Sequence, residues 1–213
     1  MSGMAKPRKT PAYLQPYNEA MNRFGPGFKA TLWQNPASQS MRFDVAMSLV
    51  DFSAVRLADL GCGPGDLVSH LEASGVQPAA FLGIDAQPEM IELAVRNHDA
   101  GHRTFLAADL VADQSSLAQW APDVCFISGT LNTIPPRTAW KLVMAAYRSS
   151  SIGVVFNFLS DRAHARFDKK DLSPARRFNT VRWIERSMRV SSRVAFRQDY
   201  LDGHDATIAI LKD

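Results

Sequence analysis

Three glycines at alternate positions, Gly61, Gly63 and Gly65, sit between an apolar run and a helix start, and they constrain this chain more than any other feature. The stretch reads Leu57-Ala58-Asp59-Leu60-Gly61-Cys62-Gly63-Pro64-Gly65-Asp66-Leu67. Glycine allows a sharp turn and leaves no Cβ in the way of a ligand. A helix opening straight after the turn offers free N–H groups to a carboxylate or another anion. Strand, turn and helix in that order predict a binding crevice at the carboxyl end of a parallel sheet.

The spacing sets this turn apart from two others. A dinucleotide turn follows G-x-G-x-x-G, whereas Asp66 stands at the sixth position here, and no lysine accompanies the turn as a P-loop requires. Asp59 at the strand end would repel a diphosphate and suits an ammonium group. Asp85, in Gly83-Ile84-Asp85, ends a second apolar run, where a carboxylate can accept from both hydroxyls of a ribose. Asp109, in Ala108-Asp109-Leu110, follows a third, where a short acid can meet an exocyclic amine of a base. A turn for a zwitterionic tail, an acid for ribose and an acid for adenine together describe S-adenosylmethionine.

On these residues the segment 55–160 resembles a class I (Rossmann-like) S-adenosylmethionine-dependent methyltransferase. The resemblance implies that Asp59, Gly61, Cys62, Gly63 and Gly65 hold the methionine part. Asp85 with Ala86 would then hold the ribose, and Asp109 with Leu110 the adenine, the product being S-adenosylhomocysteine. The run from Asp123 to Asn132, then Phe156-Asn-Phe-Leu-Ser160, Gln198-Asp-Tyr-Leu and His204-Asp-Ala-Thr207, is similar to a poorly characterised bacterial subgroup. That subgroup places a tryptophan and an arginine-phenylalanine pair ahead of the turn, matched here by Trp33 and Arg42-Phe43. By the resemblance Trp33 and Arg42 close over the cofactor, with Arg42 reaching its carboxylate. On the residues alone Trp33 is a packing residue, and Arg42 pairs with Asp44 or Asp51. Ser128 joins the cofactor side, and Tyr17, Asn132, Phe158 and Tyr200 are the acceptor-side candidates. His164 and His204 are candidate bases, though each reads first as a surface histidine. No catalytic residue is assigned.

Around the turn, apolar runs alternate with helical patterns. Strands are expected over 55–60, 80–84, 104–107, 123–127 and 152–159, and helices over 36–52, 66–73, 88 onward and 138–148. Asn35-Pro36 marks a helix start, with asparagine at the N-cap and proline at the first helical position. A further helix is expected over 174–187, then strands over 189–201 and 206–211 joined by an Asp202-Gly203 hairpin turn. The expected fold is α/β: a doubly wound, mostly parallel seven-stranded sheet with helices on both faces and a C-terminal antiparallel hairpin. Residues 1–12 read as a flexible tail and 13–213 as one domain, helical over 13–53 and Rossmann-like from 54.

Composition narrows the function. The chain has 213 residues, 46% hydrophobic and 21% charged, so it can bury a full core without metal or disulfide staples. No run approaches the ~20 apolar residues of a membrane span, and no apolar segment follows the basic start, which predicts a cytoplasmic protein. Cys62 and Cys125 offer neither a disulfide framework nor metal-ligand spacing. No acids are placed to hold magnesium. The segment Ser-Gly-Thr-Leu-Asn132 lacks the Asx-Pro-Pro-aromatic pattern of base-amine methyltransferases, and no Pro-Cys ends the fourth strand as cytosine-C5 attack requires. Eleven basic residues against three acidic ones give 162–197 a net +8, so the remainder carries −5 of the total +3. The expected reaction is methyl transfer to a small molecule. RNA methylation through the basic segment is the alternative, and a non-catalytic cofactor-holding module is a third reading. Oligomeric state is not legible.

Overall fold

The computed structural model describes residues 10–168 and 170–213, so the tail expected over 1–12 lies, through residue 9, outside the described residues. Five apolar runs become parallel strands: β1 (Arg56–Leu60), β2 (Ala80–Asp85), β3 (Arg103–Ala107), β4 (Val124–Ile127) and β5 (Gly153–Leu159). β6 (Val194–Arg197) and β7 (Asp205–Leu211) complete the sheet in the order β3-β2-β1-β4-β5-β7-β6, with β7 antiparallel to both neighbours. The strand order reverses beside β1, which opens the crevice between the carboxyl ends of β1 and β4.

Side chains alternate across each strand and so divide the interior into two layers. Ala58, Leu60, Cys125, Ile127 and Phe156 point to one face, packed against α5 (Ser115–Trp120), α6 (Pro136–Ser149) and α7 (Thr180–Met188). Leu57, Val124, Phe126 and Val155 point to the other, against α2 (Pro36–Leu49) and α3 (Asp66–Ala73). Asp59 falls on this second face by the same alternation, which carries it to the crevice rather than into the core. α4 (Pro88–His98) covers β2 and β3, and α1 (Gln15–Phe24) lies over the crevice end of the sheet. The start of α2 follows its sequence signal: the Asn35 side chain accepts from Ser38 N at 2.8 Å, and Pro36 takes the first helical position.

The C-terminal third departs from its pattern. The helix expected over 174–187 begins only at Thr180, because the Asn179 side chain caps it by accepting from Arg182 N. Ahead of it, Phe178 N donates to Leu159 O at 2.8 Å and its ring enters the core, which holds that stretch extended. The strand expected over 189–201 shortens to Val194–Arg197. In place of a two-residue turn, residues 198–204 join β6 to β7 through a 3₁₀ turn at Leu201–Gly203, with Asp202 left-handed at φ 51°. α1 falls within the segment expected to be helical and buries Ala20, whereas α5 escapes the helical pattern because it is short and buries one side chain, Leu117.

Candidate functional site

The turn after β1 is fixed from below by its own backbone. Gly61 N and Cys62 N both donate to Ile84 O, at 2.7 and 3.1 Å, tying the turn to the end of β2. Gly61 has φ +89°, and a Cβ there would overlap the Thr130 hydroxyl, which donates to Leu60 O at 3.0 Å. The position therefore demands glycine twice over. Gly63 N donates to one oxygen of Asp85 and Gln87 N to the other, each at 2.9 Å. Asp85 is thus held between turn and strand end, with one lone pair left on each oxygen. Gly65 stays off the cavity wall and closes against His98 of α4.

A cavity of about 560 Å³ opens over this turn, walled by α2, the carboxyl ends of the strands and residues 166, 167 and 170–175. Asp59, Gly61, Cys62, Gly63, Asp85 and Ala86 form its floor. Ser128 and Asn132 line the β4 side: Ser128 Oγ accepts from Asn157 Nδ2 at 2.8 Å, and Asn132 Oδ1 accepts from Leu159 N at 2.9 Å. A smaller apolar recess beside it is walled by Asp85, Ala86, Asp109, Leu110 and Tyr17. Asp109 accepts from the Tyr13 hydroxyl at 2.6 Å and from Val111 N at 3.0 Å.

The floor is acidic and mostly buried. Asp59 is 4% exposed and has no hydrogen-bond partner among the described residues. Burial, with Asp85 and Asp66 nearby, raises its pKa to about 8. Burial also raises Asp85, while burial and the same acids push the Cys62 thiol well above its ordinary value. Burial carries the Tyr17 hydroxyl to about 12, so Tyr17 and Cys62 keep their protons at neutral pH and remain available as donors. Thr133 Oγ1, also on the wall, faces the Tyr17 hydroxyl. A mostly buried acid with no donor among the described residues is the unsatisfied group of the floor. An ammonium group has the chemistry to satisfy it.

Three expectations are corrected. Arg42 pairs with neither Asp44 nor Asp51: its Nε and one terminal nitrogen donate to the two oxygens of Asp205 at 2.7 and 2.5 Å. The other terminal nitrogen donates to Ser38 O, and the guanidinium lies 4.5 Å from the Trp33 ring. Arg42 therefore lines the cavity as a neutralised tie from α2 to β7, and Asp44 pairs with His70 instead. Trp33 seats its ring on Gly129, where any Cβ would collide with it. Phe158 is not on the acceptor side: it is fully buried, with its ring 5.1 Å from Trp183 and 5.9 Å from Phe178. Tyr200 is buried as well, its hydroxyl 2.6 Å from that of Thr207, and it stands outside the cavity wall. Phe158 lies near the end of β5, where the pleat turns it inward, whereas Tyr200 stands in the 198–204 connection and is buried by its contact with Thr207.

Other wall residues carried little sequence signal. Gln39 reaches Asp66 at 3.0 Å, and Tyr13 precedes any recognisable helix. His204 lines the cavity, stacked on Phe167 with ring centres 4.3 Å apart, whereas His164 only caps an exposed 3₁₀ turn. No helix among the described residues is long and apolar enough to cross a membrane.

Residues 57–153 match the family described as a methyltransferase domain. No curated protein matches the sequence. Among solved structures, the chain is similar to magnesium protoporphyrin IX methyltransferase (ChlM) from Synechocystis PCC 6803 with bound SAH. The TM-score is 0.66 at 14% identity, over 94% of this chain and 97% of that one. It is similar to an O-methyltransferase family protein from Burkholderia thailandensis with TM-score 0.63 and 19% identity, over 92% of this chain and 58% of that one. It is also similar to the small RNA methyltransferase HEN1, with TM-score 0.66 and 15% identity, over 87% of this chain and 26% of that one.

Proposed function

We propose, for a chain that carries a class I S-adenosylmethionine-dependent methyltransferase domain, transfer of the sulfonium methyl to a small-molecule acceptor. The observation that carries this reading is the unpartnered buried acid Asp59, set between the glycine turn and the pinned Asp85 in a cavity extending beyond both. Bound S-adenosylmethionine supplies a methyl group on a positively charged sulfur, ready for in-line displacement. Asp59 faces the ammonium, and the amides at the start of α3 face the carboxylate. The free lone pairs of Asp85 accept from the ribose hydroxyls. Asp109, steadied by Tyr13, takes the base edge in the apolar recess. The remaining space, under Trp33 and toward His204, is where the acceptor lies. The protein acts chiefly by alignment, worth about 7–11 kcal/mol in a well-oriented displacement. Tyr17 and Cys62 hold their protons, so the acceptor presents a ready lone pair.

Calorimetric titration with S-adenosylmethionine and S-adenosylhomocysteine tests the reading. Binding of both is expected, and a folded protein that binds neither ends it. Transfer of tritium from labelled cofactor into a metabolite extract separates the enzyme from a module that only holds the cofactor.

Transfer to RNA has one observation in its favour. Arg137, Lys141 and Arg148 on α6, with Arg182 and Arg189 on and just after α7, are exposed and make no ion pair among the described residues. Phosphate contacts on that face would give RNA binding that weakens steeply with salt. A gel shift with no association at low salt removes this alternative.

A further inference from the structure

The cavity has a second end that the cofactor reading leaves unused, and its chemistry is opposite to that of the floor. Phe167 and Lys170 both line the crevice, and Lys170 Nζ reaches Gln34 Oε1 at 3.1 Å across the mouth. Arg166 is neutralised by Asp202 and Arg42 by Asp205. Asp171, also on the wall, turns one oxygen back to Ser173 N at 2.8 Å. Lys170 has no carboxylate partner among the described residues: its ammonium meets the neutral amide of Gln34 and lies 6.0 Å from the centre of the Phe167 ring.

His204 sits beside it in a fixed state. Arg177 donates a terminal N–H to His204 Nδ1 at 3.0 Å. Arginine has no acceptor, so Nδ1 must be the unprotonated nitrogen and the ring proton must sit on Nε2. Burial, then the charges of Arg177, Lys170, Arg42 and Arg166, lowers the pKa of His204 to about 4, so the ring stays neutral. Nε2–H makes no hydrogen bond among the described residues, which leaves a neutral donor on the cavity wall beside an unpaired ammonium. Such a histidine is a poor general base, because its free lone pair is occupied by Arg177. It is a good donor to an oxyanion.

We propose that Lys170 and His204 form an oxyanion subsite, and that the methyl acceptor is a small organic acid whose carboxylate-type group docks there. The inference rests on the methyl-transfer reading, since the floor must hold the cofactor for this end to hold the acceptor. An anionic group gains one charge-assisted and one neutral hydrogen bond at this end. The acidic floor repels it from the other, so the polarity of the cavity also orients the acceptor.

The test is an NMR titration of the S-adenosylhomocysteine-saturated protein with benzoate and with its uncharged counterpart benzamide. Benzoate is expected to bind at least ~10-fold more tightly than benzamide and to shift the His204 ring resonances, as loss of a charged hydrogen bond would suggest. Lys170→Gln should weaken benzoate about 10-fold and leave benzamide unchanged, while Arg96→Gln, exposed on α4 and outside the cavity wall, leaves both unchanged. Equal affinity for benzoate and benzamide, or indifference of benzoate to Lys170→Gln, overturns the subsite. S-adenosylhomocysteine affinity is read first in each variant. Its loss in the wild-type protein would instead remove the methyl-transfer reading itself.

Discussion

Replacing Arg42 with methionine separates two roles for one residue, a structural tie or a cofactor ligand. Its side chain and that of Asp205 are 5% and 1% exposed, and the pair bridges 163 residues of sequence. Methionine keeps much of the volume and contact with Trp33 but strands a buried carboxylate. Removing one partner of a buried pair costs about 3–5 kcal/mol, a large part of the ~5–15 kcal/mol stability of a typical domain. With a urea dependence of ~2 kcal/mol/M, the midpoint should fall by about 1.5–2.5 M. Asp205→Asn should cost a comparable amount. The double variant Arg42→Met/Asp205→Leu should recover most of it, because a packed apolar pair needs no compensation for buried charge. Urea unfolding followed by tryptophan fluorescence reads all three, with calorimetric affinity for S-adenosylhomocysteine measured on the folded fraction. A single variant that loses under ~1 kcal/mol of stability yet binds the cofactor tenfold more weakly would refute the tie and restore the ligand role.

Other outcomes follow from the same geometry. Asp59, raised to about 8 in the folded protein, binds a proton that the unfolded chain has already released above its ordinary carboxylate pKa. Its contribution to stability is therefore complete below that ordinary value and is lost as pH rises toward 8. Cofactor binding at neutral pH should expel this proton, visible as a buffer-dependent calorimetric enthalpy that Asp59→Asn abolishes; a buffer-independent enthalpy in the wild type contradicts it. Asp85→Ala removes two charged acceptors and should weaken S-adenosylhomocysteine about 10- to 100-fold by calorimetry; unchanged affinity would take the ribose role from Asp85. Phe158→Ala should destabilise by about 3–5 kcal/mol in urea and leave cofactor affinity of the folded protein unchanged; the reverse pattern would place the ring in the site after all.

The features legible in the sequence are those with local causes. The glycine turn, the strand-end acids Asp59 and Asp85 and the Asn35-Pro36 helix start each depend on residues within a few positions, so their spacing carried them. Parallel strands buried on both faces announce themselves as apolar runs, and the parallel pairing follows from the α/β alternation. Pairings between distant segments left no such trace. Arg42 meets Asp205 rather than its acidic neighbours because α2 packs on β7. His204 stacks on Phe167 because a loop of irregular backbone folds over the crevice.

The sequence by itself determined the sheet, the turn and the sign of charge at the cavity floor, since backbone conformation and side-chain alternation are properties of short stretches. Tertiary structure alone decided which polar groups find partners: Arg42 and Tyr200 are satisfied within the protein, while Asp59 and Lys170 are left facing the cavity. Electrostatic and hydrogen-bond satisfaction depend on three-dimensional neighbours, and no spacing along a chain encodes them.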